Sequence, residues 1–227
     1  MKLAAITLDL DDTLWPITPV MQRAEQALQD WLAAHCPEVA AALPLPRMRA
    51  LRDRVFAEYP ELSHDFTALR KLCLRAALLP YGYGEHEVDE AFAVFYAARN
   101  QVELYPEVGD ALERLARRAP LVSLSNGNAC LARIGLSGHF KGQVTARAHG
   151  APKPAASIFH AACAIAGADP AHTLHVGDHP EQDVTGALNA GLAAAWIDRK
   201  GCGWPLRTPA PLTFPCLARL ADYVEGL

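Results

Sequence analysis

Four short segments carry side chains with chemistry to offer. They are Asp9-Leu10-Asp11-Asp12-Thr13, Leu124-Ser125-Asn126-Gly127, Ala151-Pro152-Lys153-Pro154, and His175-Val176-Gly177-Asp178 with Asp183 five residues on. On an extended chain alternate residues point the same way, so Asp9 and Asp11 can share one pocket. Two carboxylates side by side repel, and are tolerable when a divalent cation neutralises them or one keeps a proton. A hydroxyl and turn N–H groups, as in Ser125-Asn126-Gly127, can hold an oxyanion. The prolines flanking Lys153 stiffen the chain around a single ammonium. Asp178 and Asp183 add two further carboxylates. Each segment also has an ordinary explanation: a solvated Asp-rich turn, simple turn chemistry, a surface lysine, and a helix N-cap at Asp183.

The elements that must position these residues come from apolar patterning. Leu3 to Leu8 is a compact apolar run ending at Asp9 and predicts a buried strand. Further strands are predicted at Leu121–Leu124, Gln143–Ala146, Thr173–Val176 and Ala193–Ile197. Helices are predicted over Val108–Arg118, Ala155–Ala166, Asp183–Ala190 and Leu217–Val224, with a helical turn or two over Asn128–Ile134. The Pro-rich stretch Pro205–Pro215 is predicted as loop. Strands alternating with helices imply a parallel sheet covered on both faces. Between the first strand and the rest, Pro19 to about Leu104 reads as helix after helix. One begins near Thr18 (N-cap) and Pro19. Others cover Arg47–Ala57, Ser63 (N-cap) to Leu79, and Glu87–Gln101. The fold class is therefore α/β: a doubly wound, parallel-sheet, Rossmann-like core (1–17 and 105–227) carrying an inserted α-helical cap domain (18–104). In such a sheet ligands bind at the carboxyl ends of the strands, which is where most of the polar segments fall.

Composition narrows the partners. Of 227 residues, 51% are apolar, enough for a real core, and the net charge of -4 disfavours a polyanion. No nucleic-acid partner is expected. No apolar run approaches the roughly 20 residues of a membrane span, and the N-terminus does not read as a signal peptide. Six scattered cysteines without a C-x-x-C pair predict reduced thiols and a cytoplasmic protein.

Taken together, in this order, the four segments resemble the haloacid dehalogenase-like hydrolase superfamily over the whole chain. Asp9 to Thr13 matches its D-x-D-x-T motif, and Ser125 and Lys153 match its second and third motifs. Gly177-Asp178 with Asp183 matches G-D-x-x-x-x-D. The helical insertion resembles the cap of the superfamily's first subclass. The resemblance implies a phosphatase in which Asp9 attacks phosphorus and Asp11 acts as general acid, then base. It implies Mg²⁺ held by Asp9, the Asp11 backbone carbonyl and Asp178, with Asp183 as ligand or neighbour. Ser125, the Asn126 amide and Lys153 would stabilise phosphoryl charge, with Thr13 and Asn126 on the substrate side. His179 is a departure, since many relatives carry a second Asp there.

A closer likeness joins Glu61 to Arg70, Ser125 to Ala129 and Leu174 to Asp178. These segments resemble a bacterial phosphatase branch acting on flavin mononucleotide and on the ribityl phosphate intermediate of riboflavin synthesis. It implies a small phosphate ester as substrate, with sugar phosphates as further candidates. His64, Asp65 and Arg70 become cap residues that choose the leaving alcohol. Their alternative is structural: first-turn polar residues and a solvated helix arginine. The competing activities are a haloacid dehalogenase, a phosphomutase and a non-enzymatic phosphoacceptor module. The first needs no metal, and receivers are shorter and lack a helical insertion. A dinucleotide-binding protein is disfavoured because no G-x-G-x-x-G follows the first strand. The oligomeric state is left open.

Overall fold

Short buried apolar runs make the strands. The structure, a computed structural model, describes residues 3–227. Among them the strands are β1 (Ala5–Leu8), β2 (Leu121–Ser125), β3 (Gly142–Thr145), β4 (Thr173–Gly177), β5 (Ala193–Ile197) and β6 (Leu212–Phe214). They form one sheet in the order β3-β2-β1-β4-β5-β6, with every pair parallel. Helices cover both sides of the sheet, so β1, β2 and β4 are buried at every position and read as largely apolar text with a few small or buried polar residues. β1 sits between β2 and β4, with Leu8 level with Ser123 and with Val176. The chain order reverses there, so the carboxyl ends of β1, β2 and β4 open onto one crevice.

The helices are α1 (Ile17–His35), α2 (Pro37–Ala42), α3 (Leu45–Glu58), α4 (Phe66–Leu78), α5 (Glu85–Arg99), α6 (Val108–Arg118), α7 (Leu131–Ile134), α8 (Ala146–His149), α9 (Ala156–Ala166), α10 (Gly186–Asn189) and α11 (Leu217–Glu225). The chain divides into two compact units. One holds the described residues up to Pro16 together with Glu103–Leu227, and the other is Ile17–Val102.

In the α/β unit, α9 packs on β1, β2 and β3. Ile158, Phe159, Ala162 and Cys163 of α9 join Val122, Leu124, Val184 and Trp196 in one core cluster. Full burial of each large apolar side chain there stabilises the fold by about 1.5–3 kcal/mol. In the helical unit, α1 packs chiefly on α5, and α4 on α5 and α3. Their apolar stripes close around Leu28, Leu32, Leu74, Leu78, Val88 and Phe95.

Several expectations are corrected. Leu212–Phe214 is a strand inside the stretch expected to be loop; it is short, largely exposed and flanked by prolines, so its alternation carries little signal. Thr18 lies inside α1, which starts at Ile17. The N-cap of α4 is Asp65 rather than Ser63, because the Asp65 carboxylate accepts from the Thr67 and Ala68 N–H groups. Helices α2 and α8 were not expected, and both are too short for a periodic pattern. All six cysteines are free. Among the described residues no helix is long and apolar enough to cross a membrane.

Candidate active site

The residue after β1 is Asp9, whose backbone N–H donates to the Val176 carbonyl (2.9 Å) and so continues the sheet by one position. The chain then turns sharply. Asp12 adopts a left-handed conformation (φ 59°), which carries a backbone cost for a non-glycine residue. It is held by a hydrogen bond from its N–H to the Trp15 carbonyl (2.8 Å). The Trp15 indole N–H donates to Asp11 Oδ1 (2.9 Å) and orients that carboxylate. The Thr13 hydroxyl lies 3.4 Å from both Asp9 Oδ2 and Asp178 Oδ1. It therefore spans two carboxylates from different strand ends.

Lys153 binds the site together. Its ammonium, 2% exposed, donates to Asp9 Oδ1 (2.6 Å) and to Asp183 Oδ1 (2.5 Å). Its backbone is locked by Asn126. The Lys153 N–H donates to Asn126 Oδ1 (2.7 Å), and Asn126 Nδ2 donates to the Lys153 carbonyl and to Gln182 Oε1 (3.0 Å each). The Asn126 side chain is thus committed to positioning Lys153. Ser125 is buried at the end of β2, and its Oγ accepts from the Gly127 N–H (3.0 Å).

Asp183 is the most heavily supported carboxylate. It sits in a π-helical turn, Pro180–Thr185. Besides Lys153 it accepts from His175 Nε2 (3.1 Å) and from the His179 N–H (2.9 Å). His175 interrupts the apolar text of β4 and is fully buried. Because its Nε2 faces a carboxylate it carries the proton there, and Nδ1 accepts from the Thr7 hydroxyl (2.8 Å). His179 is the cap of the π-helical turn: its Nδ1 accepts from the Glu181 and Gln182 N–H groups. Gly177 has no room for a side chain, since a Cβ there would overlap the Asp183 carboxyl group. Asp178 is anchored through its carbonyl, which accepts from the Trp196 indole (2.7 Å).

The electrostatics follow from this packing. Burial pushes the Asp9 pKa well up; Lys153 opposes the rise, while Asp183 and Asp178 add to it. Burial raises Asp178 to about 7, with Asp183 and Asp12 contributing. Burial would raise Asp183 as well, but Lys153 and His175 hold it below the usual carboxylate range. Burial would lower Lys153, yet Asp183 and Asp9 keep it above its ordinary value, so it is a fixed cation. Burial lowers His175 and keeps it neutral despite Asp183.

Oxygens of Asp9, Asp178 and Asp183 all lie within 4.8 Å of one another. Three carboxylates thus share one ammonium, and the two with raised pKa values mark a deficit of positive charge. An all-oxygen donor set with that deficit fits a hard divalent cation such as Mg²⁺. The Asp11 carboxylate does not join the cluster.

His64, Asp65 and Arg70 belong to the helical unit. Asp65 caps α4. Arg70 is buried in α4, with its guanidinium 4.1 Å from the Phe95 ring centroid, and burial lowers its pKa. It also borders a small cavity with Glu25, Gln29 and Arg49. Sequence reasoning did not single out Trp15, Gln182 or Arg199, nor the partnership of His175 with Thr7. A histidine inside an otherwise apolar strand was the one available signal.

A family model described as haloacid dehalogenase-like hydrolase matches residues 3–191. The chain is 31% identical over 200 residues to the 5-amino-6-(5-phospho-D-ribitylamino)uracil phosphatase YigB of Escherichia coli (strain K12), covering 86% of this chain and 84% of that one. It is 34% identical over 136 residues to the phosphoserine phosphatase of Thermus thermophilus, covering 57% and 55%. Among solved structures, a 2-haloacid dehalogenase from Pseudomonas syringae pv. tomato DC3000 superposes with a TM-score of 0.90 at 37% identity, covering 99% of this chain and 98% of that one. Sheet order, strand-end carboxylates and sequence similarity lead to one assignment: the chain belongs to the haloacid dehalogenase-like hydrolase family.

Proposed function

We propose that this chain is a Mg²⁺-dependent phosphomonoesterase that passes a phosphoryl group through Asp9. The observation that carries the reading is Lys153 bridging Asp9 and Asp183 beside Asp178. It is a fixed cation among more carboxylates than it can neutralise, at the edge of a sheet where ligands bind. Asp9, the Asp11 carbonyl and Asp178 would hold the cation, with Asp183 beside them. When bound, Mg²⁺ supplies positive charge for the phosphoryl oxygens and the clustered carboxylates.

The rest is done by the chain's own residues. An Asp9 oxygen attacks phosphorus, and the new O–P bond forms as the bond to the ester oxygen breaks. The departing alkoxide takes its proton from Asp11, which Trp15 orients. Asp11 then removes a proton from water, the water oxygen bonds to phosphorus, and the Asp9–phosphorus bond breaks to return the carboxylate. Ser125, the Asn126 backbone amide and Lys153 stabilise charge on the phosphoryl oxygens. Thr13 keeps Asp9 and Asp178 in register from the substrate side of the loop.

Similarity to YigB and to a phosphoserine phosphatase supports a small phosphorylated metabolite as substrate. Flavin mononucleotide, the ribityl phosphate of riboflavin synthesis and sugar phosphates are the candidates. The helical unit acts as a cap that selects the leaving alcohol, with His64, Asp65 and Arg70 as its recognition groups. Free, scattered cysteines support a cytoplasmic location.

A second reading, a 2-haloacid dehalogenase, is favoured by the similarity to the Pseudomonas syringae protein. The Asp178–Asp183 pair weighs against it, because that chemistry has no need of a cation site. The experiment is a screen of these phosphate esters and of 2-haloacids, with Mg²⁺ and with excess chelator. Phosphate release that chelation stops and Mg²⁺ restores is expected, with Ca²⁺ restoring less because its looser shell misplaces the nucleophile. Halide release that is indifferent to chelator would instead establish the dehalogenase.

A further inference from the structure

Arg199 lies just beyond β5, outside the four segments that carry the strand-end carboxylates, Ser125 and Lys153. Its Nη2 and Nε both donate to the Thr13 carbonyl (2.7 and 3.3 Å). Its Nη1 pairs with Glu107 Oε1 (2.8 Å), and its guanidinium lies 3.6 Å from the Tyr105 ring centroid. The Tyr105 N–H in turn donates to the Leu14 carbonyl (3.0 Å). One planar cation thus gathers the end of the Asp9–Thr13 loop and the chain segment that re-enters the α/β unit after Val102. A guanidinium suits this task because its rigid fork can grip a carbonyl and a carboxylate at once while stacking on a ring.

The loop has reason to be held. Asp12 carries its left-handed backbone, and the next residue, Thr13, places its hydroxyl 3.4 Å from both Asp9 and Asp178. The carbonyl of Thr13 is on Arg199, and its hydroxyl is on the two carboxylates.

We propose that Arg199 is a positioning residue for the nucleophile: by gripping the Thr13 carbonyl it fixes the Thr13 hydroxyl, and through it the separation of Asp9 and Asp178. The inference rests on the phosphatase reading for its effect on turnover, but its effect on the loop does not depend on that reading.

The test uses Arg199→Ala in the full chain with para-nitrophenyl phosphate and Mg²⁺. A misplacement of about 1 Å at a reacting group costs on the order of 100-fold, and that is the expected fall in kcat. KM should change by less than about threefold, since phosphate binding groups are untouched. A cavity of about 160 Å³ bordered by Asp12, Tyr105, Asp178, Asp198, Arg199 and Lys200 gives a free guanidinium ion access to the vacated place. Guanidinium at tens of millimolar should recover roughly tenfold of the loss, whereas ammonium should not. Independently of activity, the Asp12 and Leu14 amides, bonded to the Trp15 and Leu10 carbonyls, should exchange hydrogen faster than in the wild type, with β2 amides unchanged.

A folded variant with kcat within about twofold of wild type, no guanidinium rescue, or unaltered exchange at Asp12 and Leu14 would each overturn the inference. If wild type itself hydrolyses no phosphate ester, the phosphatase reading fails, and the exchange measurement alone decides the role of Arg199. If Arg199→Ala does not fold, Arg199→Lys takes its place. It keeps the charge but loses the fork, so lower kcat and faster exchange are expected, and wild-type values for both overturn the inference.

Discussion

The two units bury charge in opposite ways. In the α/β unit Asp9, Lys153, Asp183 and His175 face one another in an unbroken hydrogen-bonded series, with almost no access to water. In the helical unit Glu25 is satisfied by Arg49 and Arg52, whose own side chains are partly exposed, and Arg70 rests on an aromatic ring. A closed series of buried charges is strongly interdependent, because low polarity strengthens every contact and penalises every vacancy. Such a series is worth its cost where chemistry requires charge at a fixed place. The helical unit instead relies on apolar stripes between α1, α4 and α5, with Arg70 set against a ring and Arg99 buried at the end of α5. The difference is between a unit that holds a connected series of buried charges and one held together by apolar packing.

The sharpest way to break this contrast is Lys153→Met. Removing the shared cation leaves Asp9 and Asp183 buried without a positive partner, held only by neutral hydrogen-bond donors. That should destabilise the metal-free fold by about 3–5 kcal/mol and lower kcat by roughly 10²–10³-fold. A stable variant that still turns over at near wild-type rate would show that the buried series is decorative. The matching change in the helical unit is Leu74→Ala, at a buried position of α4. It should cost about 2–5 kcal/mol in a denaturant titration while leaving kcat per folded molecule nearly unchanged. A large loss of kcat in the folded protein would mean that the helical core takes part in the reaction.

A smaller effect is expected from Arg70→Ala. The ratio of kcat/KM for flavin mononucleotide to that for para-nitrophenyl phosphate should fall by about tenfold, as when a site's polar group loses its partner. An unchanged ratio for His64, Asp65 and Arg70 variants alike would make all three structural, as the capping role of Asp65 already is.

The smallest effect concerns pH. Without a bound cation, burial pushes Asp178 up to about 7 and also raises Asp9. The folded state therefore keeps protons that the unfolded chain has lost between about pH 4 and pH 7, and stability falls as pH rises through that window. Asp183, held low by Lys153, works in the opposite sense but only in acid. Melting temperature should drop by a few degrees, at roughly 2–4 °C per kcal/mol, between pH 5 and pH 8, and Mg²⁺ should remove the drop. A metal-free melting temperature that climbs over this range would contradict the charge deficit.

Much of this arrangement could be read before the structure. The apolar runs ending at Asp9, Ser125 and Gly177 are buried strands whose ends meet, because parallel strands of one sheet share a carboxyl edge. Lys153 could be proposed for the same site only through the motif order; its contact with Asp9, 144 positions away, is a product of topology. What escaped were residues whose meaning lies in a partner. Arg199 reads as one more surface cation after a strand, and Gln182 falls just before the predicted helix Asp183–Ala190, until Thr13 and Asn126 are seen beside them. Asp65 reads either as a substrate contact or as a first-turn polar residue, and its carboxylate caps α4. The side chains of Thr13 and Asn126 also reach Asp9, Asp178 and Lys153, contacts that follow from topology rather than from spacing. β6 went unseen because three mostly exposed residues among prolines carry too little pattern.

The proposed chemistry turns on Asp9 as the group that receives phosphorus. The direct measurement is to quench the enzyme during turnover of a phosphate ester, reduce with borohydride, and locate the reduced residue by peptide mass spectrometry. An acyl phosphate on Asp9 would be converted to homoserine at that position, and Asp9→Asn, with activity down at least about 100-fold, would give no reduced residue. Reduction at a different carboxylate, or undiminished phosphate release by Asp9→Asn, would contradict the account.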